Sequence, residues 1–166
     1  MNAKLNKLIW SQFGAAIDMV RNAINDCPED LWSRRDLKPE YWYLAYHTLF
    51  WLDFYLTDSP DAYRPYRNIG LTEFDPAGII PDKVFTKPEL LEYLEYGRTK
   101  CQNVISLLTD AKANERYEFN KMNFSFLELL LYNMRHAQHH AAQMNLILRQ
   151  QIDYAPGWVS KAGSPD

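Results

Sequence analysis

The stretch SFLELLLYNMRHAQHHAAQMNLILRQQI, residues 125–152, decides the fold. Ser125 followed by Glu128 is a capping box, in which hydroxyl and carboxylate satisfy backbone N–H groups that the first helical turn leaves free, so a helix opens here. With His136 set to zero and about 100° per residue, Leu129 and Ile147 fall near 20°, Phe126 and Met144 near 80° and Ala137 near 100°. These residues define a buried face on a helix running to about Gln151. His136 and His140, the latter at about 40°, lie within that face, while His139 at about −60° falls at the polar margin beside Glu128 and Arg135. Side chains four apart on a helix have Cβ atoms about 5–6 Å apart. Two imidazoles so placed can each bring one nitrogen to about 2.0–2.1 Å from a shared metal ion. His136 and His140 therefore read as a bidentate clamp, although HxxxH alone is a common pattern.

Upstream, Leu5, Leu8, Ile9, Phe13, Ala16, Ile17, Val20 and Ile24 recur at three- and four-residue steps, the stripe of a first amphipathic helix. It ends before Cys27-Pro28, because a residue preceding proline is pushed out of the helical region. Pro39-Glu40 suits the first turn of a second helix reaching to about Leu56, where Thr57-Asp58-Ser59-Pro60 breaks it. This helix is apolar almost all round, which predicts burial on more than one side, either centrally in a bundle or against a second copy of the chain. Residues 58–86 carry Pro60, Pro65, Pro76 and Pro81 interleaved with Tyr63, Tyr66, Phe74 and Phe85 and show no sustained period. They read as a long ordered loop with a functional part, since loops of this length in compact domains are otherwise rare. Thr86 with Glu89 caps a third helix, along which Leu90, Leu91, Leu94, Cys101, Val104, Ile105 and Leu108 continue the stripe. Cys101 lies on its apolar face, as a core thiol.

Four helices and no credible strand pattern predict an all-α fold: a four-helix bundle with a Pro- and aromatic-rich loop between helices two and three. One domain is expected over residues 1–153, followed by a tail over 154–166 that Pro156, Gly157 and Pro165 keep from continuing the last helix. A chain of 166 residues, 47% of them hydrophobic, supplies its own core, so a metal would not be needed to hold it together. The net charge of −3 and the absence of a basic run leave out the electrostatic footprint of a nucleic-acid binder. The densest apolar stretch, Tyr41 to Leu56, holds His47, Thr48 and Asp53 and is too short and too polar to cross a bilayer, so no membrane partner is expected. Two cysteines in no CxxC pattern, and no evident export signal, predict a reducing, cytoplasmic location.

All four histidines fall in two places, His47 in helix two and His136, His139 and His140 in helix four. His47 shares its side with Leu44, Trp51 and Phe54 and should face inward as well. A lone buried histidine is usually a neutral core residue bonded to a neighbour. Three facing one another point instead to a metal site. Around it, His139 reads as a polar edge residue, and Gln143, next to the metal face, either orients a ligand or lines a pocket. Asp53 lies opposite His47 and is a poor ligand candidate. Tyr43 and Tyr132 share the sides of His47 and His136 and could reach a pocket, though tyrosines at helical spacing more often pack.

His47, the segment Arg135-His136-Ala137-Gln138-His139-His140-Ala141-Ala142-Gln143, Cys27-Pro28-Glu29-Asp30-Leu31 after helix one, the Pro-rich loop and the closing Ala155-Pro156-Gly157-Trp158-Val159 occur in an order that resembles the DinB-like superfamily of bacterial four-helix proteins. The resemblance covers nearly the whole chain. It implies a divalent metal on His47, His136 and His140. Where the family often has a glycine before the final glutamine, this chain has Ala142. The resemblance also implies an activity class, since several relatives transfer low-molecular-weight thiols to electrophiles and one branch isomerises maleylpyruvate with a thiol cofactor.

Independently, three neutral ligands with an open position for water are the composition of a catalytic site. The ligand set suits zinc, nickel, copper and iron alike, with zinc and nickel expected first. As an enzyme, the chain would use the metal and a thiol co-substrate in S-transfer to a small electrophile, with metal-dependent hydrolysis as the alternative. As a non-enzymatic protein, it would be a metal-binding homodimer joined through the apolar helix two. No Ser-His-Asp set, phosphate-binding glycine loop or carboxylate pair suggests other chemistry.

Overall fold

A computed structural model of the chain describes residues 3–67 and 69–163. Six helices and one hairpin follow in the order α1 Ala3–Asp26, α2 Glu29–Trp32, α3 Tyr41–Phe54, α4 Lys87–Ser106, α5 Asp110–Asn114, β1 Arg116–Phe119, β2 Met122–Ser125 and α6 Phe126–Ile152. Two short 3-10 turns, Pro60–Ala62 and Thr72–Phe74, lie in the segment between α3 and α4. The chain is thus mostly helical. Among the long helices α1 packs on α4 and α6, and α3 packs on the same two.

Both expected capping boxes are present, on Thr86 with Glu89 and on Ser125 with Glu128. α6 ends where Asp153 turns left-handed at φ 53°, a C-terminal cap that stops the helix where the sequence predicts. The α1 stripe is buried from Phe13 through Ile24, whereas Leu5 and Leu8 at its start are exposed. α3 begins at Tyr41 rather than at the proline, because Glu40 is extended (φ −64°, ψ 143°) and acts as its N-cap.

The expectation of no strand is corrected by a small antiparallel hairpin that pairs Arg116 with Ser125 and Phe119 with Met122 across Asn120-Lys121. Asn120 takes the positive φ of 52° that such a turn requires, a conformation asparagine tolerates better than most residues. Four-residue strands are too short for a convincing alternation, but Tyr117 and Phe119 on one strand and Met122 and Phe124 on the other carry it. The hairpin delivers β2 directly into the N-cap of α6 and sets the Phe119 ring 4.8 Å from that of Phe54.

The all-round apolarity of α3 is accounted for within the chain. Residues 58–86 fold over the helix as a layer of aromatic rings: Phe74 lies 5.1 Å from Phe50 and 5.0 Å from Phe54, Tyr63 lies 5.5 Å from Phe50, and Phe85 stacks on Tyr46 at 5.2 Å and 8°. Edge-to-face and stacked pairs at these spacings add to the burial of large rings. The tail then returns along α1, where the Ala162 N–H donates to the Ser11 carbonyl at 2.8 Å and the Gly163 N–H to Asp18 Oδ2 at 3.0 Å. Gly14 is required there, since a Cβ at that position would come within 2.6 Å of Ala162 Cβ.

Asp53, opposite His47, is fully buried and joins α3 to α4: Lys100 Nζ donates to its Oδ1 at 2.6 Å and the Tyr93 hydroxyl to its Oδ2 at 3.1 Å. It is a structural anchor away from the histidines. Removing one partner of a buried ion pair strands the other charge, so Asp53→Ala should cost on the order of 3 kcal/mol, roughly 6–12 °C in Tm. Calorimetry checks this, with metal content expected to stay at the wild-type level.

Candidate metal centre

α3 and α6 lie side by side, and their packing brings His47 of α3 against His136 and His140 of α6. One ligand nitrogen from each falls within 4.8 Å of the other two. His136 Nε2 lies 3.3 Å from His47 Nε2 and 3.0 Å from His140 Nε2. Nitrogens bound at about 2.0–2.1 Å to one ion would be separated by roughly 2.8–3.4 Å along the edges of an octahedron or tetrahedron. The two separations made by His136 are those of a coordination edge.

The opposite ring nitrogens explain why Nε2 faces inward. Glu73 Oε2 accepts a hydrogen bond from His47 Nδ1 at 2.7 Å and another from Trp51 Nε1 at 2.9 Å. Burial alone would raise the Glu73 carboxyl, but its bonds with His47, Tyr43 and Trp51 outweigh that and hold it below the ordinary carboxylate value. It is therefore an ionised acceptor, His47 must carry its proton on Nδ1, and the Nε2 lone pair is left free. Gln143 does the same for His140: its Oε1 accepts from Nδ1 at 2.6 Å. Carboxylates and carbonyl oxygens that hold the far nitrogen in this way set the tautomer and ring orientation of metal-ligating histidines. His136 differs, its Nδ1 being buried without a partner.

The same surroundings keep the clamp neutral. Burial first, and the neighbouring histidines next, push His136 down to about 3. Burial pushes His140 down to about 4, with its bond to Gln143 acting the other way. Neutral imidazole is the ligand form, so protons do not compete strongly for these positions near neutral pH. The donor set fits a divalent transition metal, with no carboxylate among the three donors.

His47, His136 and His140, expected to converge, do so. His139 is exposed and stands outside the group, its ring 5.0 Å from that of His140. Gln143, left between two roles in the sequence, orients His140. Tyr43 stands beside His47 with ring centroids 6.1 Å apart and acts on Glu73, while Tyr132 packs on Tyr55 at 5.4 Å. Cys101 is a core thiol, burial pushing it well above its ordinary value, and burial pushes Cys27 up to about 12. Glu73 was not identified from the sequence. It lies in an aperiodic segment 26 residues from His47, where no spacing rule could single it out.

A cavity of about 500 Å³ opens beside His136, lined by Tyr132, Arg135, His136, Gln138, His139 and Ala142. Its lining carries no carboxylate, and among the described residues Arg135 is without an ion pair.

Because the folded-state values of His136 and His140 lie below that of a free imidazole, the unfolded chain gains protons before the folded one as pH falls. Stability is full above about pH 6.5 and declines as pH drops toward 4. For the metal-free protein the loss should amount to roughly 3–5 °C in Tm per pH unit for each histidine. Scanning calorimetry between pH 7 and 4.5 checks this, and a double substitution of His136 and His140 by Gln should flatten the slope.

Neither the curated proteins nor the solved structures compared with the chain give a match. A family model described as the DinB superfamily does match, over residues 12–144, a span that takes in the histidines on α3 and α6 and most of the helical scaffold. The chain belongs to the DinB superfamily.

Proposed function

We propose that the protein is a divalent-metal-dependent enzyme whose ion is held by His47, His136 and His140, and that it transfers a low-molecular-weight thiol to a small electrophile. The observation that carries the metal assignment is the convergence of three Nε2 atoms, two of them fixed as lone-pair donors by Glu73 and Gln143 at the opposite nitrogens. Membership of a metal-associated family supports it. In this reading α1, α3, α4 and α6 form a four-helix bundle, since each packs on two of the others, and the site is built from side chains of two neighbouring helices.

When bound, a divalent ion with three neutral ligands stabilises an anionic fourth ligand and so lowers the pKa of a coordinated water or thiol. The chain's own residues supply the rest. Burial and the bonds to Glu73 and Gln143 keep the three imidazoles turned toward one point. Burial and the Glu73 carboxylate raise the Tyr43 phenol, so Tyr43 remains a proton-bearing donor next to His47. Both cysteines are buried and held protonated, so the sulfur nucleophile has to come from a co-substrate. The cavity beside His136, with the Arg135 guanidinium at its wall, suits an approaching anionic group.

Substitution of His47, His136 or His140 by Ala should weaken metal binding by more than the roughly 10–100-fold that loss of an orienting partner costs. His139→Ala should keep wild-type metal content. Elemental analysis of untagged protein reads both, and equal losses for His139→Ala and His140→Ala would overturn the ligand set. Turnover of a model electrophile by the zinc- or nickel-loaded protein should require an added thiol and should disappear in His140→Ala. Thiol-independent turnover that still needs His140 would replace thiol transfer by hydrolysis, and a metal-loaded protein inert toward every thiol and electrophile pair would favour a non-enzymatic metal-binding role.

A further inference from the structure

Glu73 belongs to the aromatic segment over α3, yet its carboxylate meets a histidine of the metal centre. Its side chain is 4% exposed, and His47 is its one ion-pair partner among the described residues. Oε2 takes both N–H donors, from His47 and Trp51, while Oε1 is buried with no partner. With no lysine or arginine beside it, the carboxylate is kept ionised by N–H donors, and a positive charge beyond His47 would stabilise it further. The unshared Nε2 of His47 opens directly onto the point where the other two Nε2 atoms converge.

The residues on either side of Glu73 seat the segment on α3. Thr72 Oγ1 lies 3.2 Å from the Tyr46 hydroxyl, and the Phe74 ring lies 5.0 Å from that of Phe54. The 3-10 turn that carries Glu73 is closed by the Phe74 and Asp75 amides, each donating at 3.0 Å to the carbonyls of Leu71 and Thr72. One carboxylate thus faces a ligand of the site on one side and is fixed in a short turn of the covering layer on the other.

We propose that Glu73 is the positioning residue of the metal centre, and that through the Glu73 to His47 hydrogen bond cation binding and the seating of residues 70–75 on α3 are coupled. The inference rests on the reading of His47 as a metal ligand. A cation at Nε2 draws electron density from the ring and makes Nδ1–H a stronger donor to Glu73. The ionised carboxylate in turn makes Nε2 a better ligand and fixes the ring's rotation. Linkage requires the two effects to be equal: the factor by which a seated Glu73 tightens cation binding is the factor by which the bound cation holds the segment closed.

The test uses the full chain, stripped of metal and titrated with Zn²⁺ against a chromophoric chelator, beside Glu73→Gln. The amide of glutamine keeps the shape and an oxygen acceptor but removes the charge. Zinc affinity should fall about 10–100-fold, while the Tm of the metal-free variant falls only modestly, because His47 and Trp51 favour the ionised carboxylate but the amide keeps an oxygen acceptor for them. In the wild type, zinc should slow hydrogen exchange of the Phe74 and Asp75 amides by a similar factor, with much less effect in Glu73→Gln. The exchange measurement on the wild-type chain needs no variant, so it stands even if Glu73→Gln does not fold, and Trp51→Phe, which frees one donor from Glu73, should show a smaller loss of both affinity and protection. A lowered Tm with unchanged zinc affinity would make Glu73 merely structural and overturn the proposal, as would exchange at Phe74 and Asp75 indifferent to zinc. Failure of the underlying reading looks different: His136→Ala would then bind zinc as the wild type does.

Discussion

Two of the three imidazoles that meet between α3 and α6 have their protons committed elsewhere, His47 to Glu73 and His140 to Gln143, so their lone pairs point at the same small volume. Both lone pairs face His136 Nε2, which lies 3.3 Å from His47 Nε2 and 3.0 Å from His140 Nε2. A proton on His136 Nε2 can serve one neighbour at a time, and leaves Nδ1 of that ring buried with nothing to donate to it. A metal ion would serve all three. Much of the surrounding structure maintains this opposition of lone pairs, because each ring would otherwise rotate to bond its neighbour.

Maintaining it places two demands on α3. The helix must present His47 to α6, and it must also be held at a fixed height and rotation. Asp53, near its far end, provides one hold through Lys100 and Tyr93 of α4. The other hold is the layer over residues 58–86, whose rings pack on Tyr46, Phe50 and Phe54, the positions flanking His47 along the helix. A helix fixed by an ion pair on one side and by aromatic packing on another has little freedom to carry His47 away from His136 and His140. This accounts for an otherwise odd property of α3, its apolarity on nearly every side.

What was legible in the sequence is what local rules govern. The capping boxes at Thr86 and Ser125 and the stop at Cys27-Pro28 are decided within a turn of helix, by backbone groups that need partners. The inward turn of His136 and His140 follows from helical periodicity alone. The hairpin escaped because its strands are short and the signal rests on one asparagine that accepts positive φ. The aromatics of the long segment mark it as ordered, but where its residues land on α3 depends on tertiary packing. Glu73 was therefore invisible until the fold placed it: a glutamate in an aperiodic loop looks like any solvated acid, and only the 2.7 Å bond to His47 distinguishes it.

The roles of the segments follow from the same geometry. A pair of ligands four residues apart on one helix has its separation set by the helix and needs little else to stay in register. The third histidine comes from another helix, so its position depends on everything that sets the distance and rotation between α3 and α6. Error in the site is thus concentrated at His47, and the strongest support is found there: an ionised carboxylate on its Nδ1, a tryptophan N–H fixing that carboxylate, and a tyrosine beside both. His140, already placed by its own helix, is held by the amide of Gln143 three residues along the same helix. The heavier, charged and non-local brace stands at the histidine that the local geometry leaves least constrained.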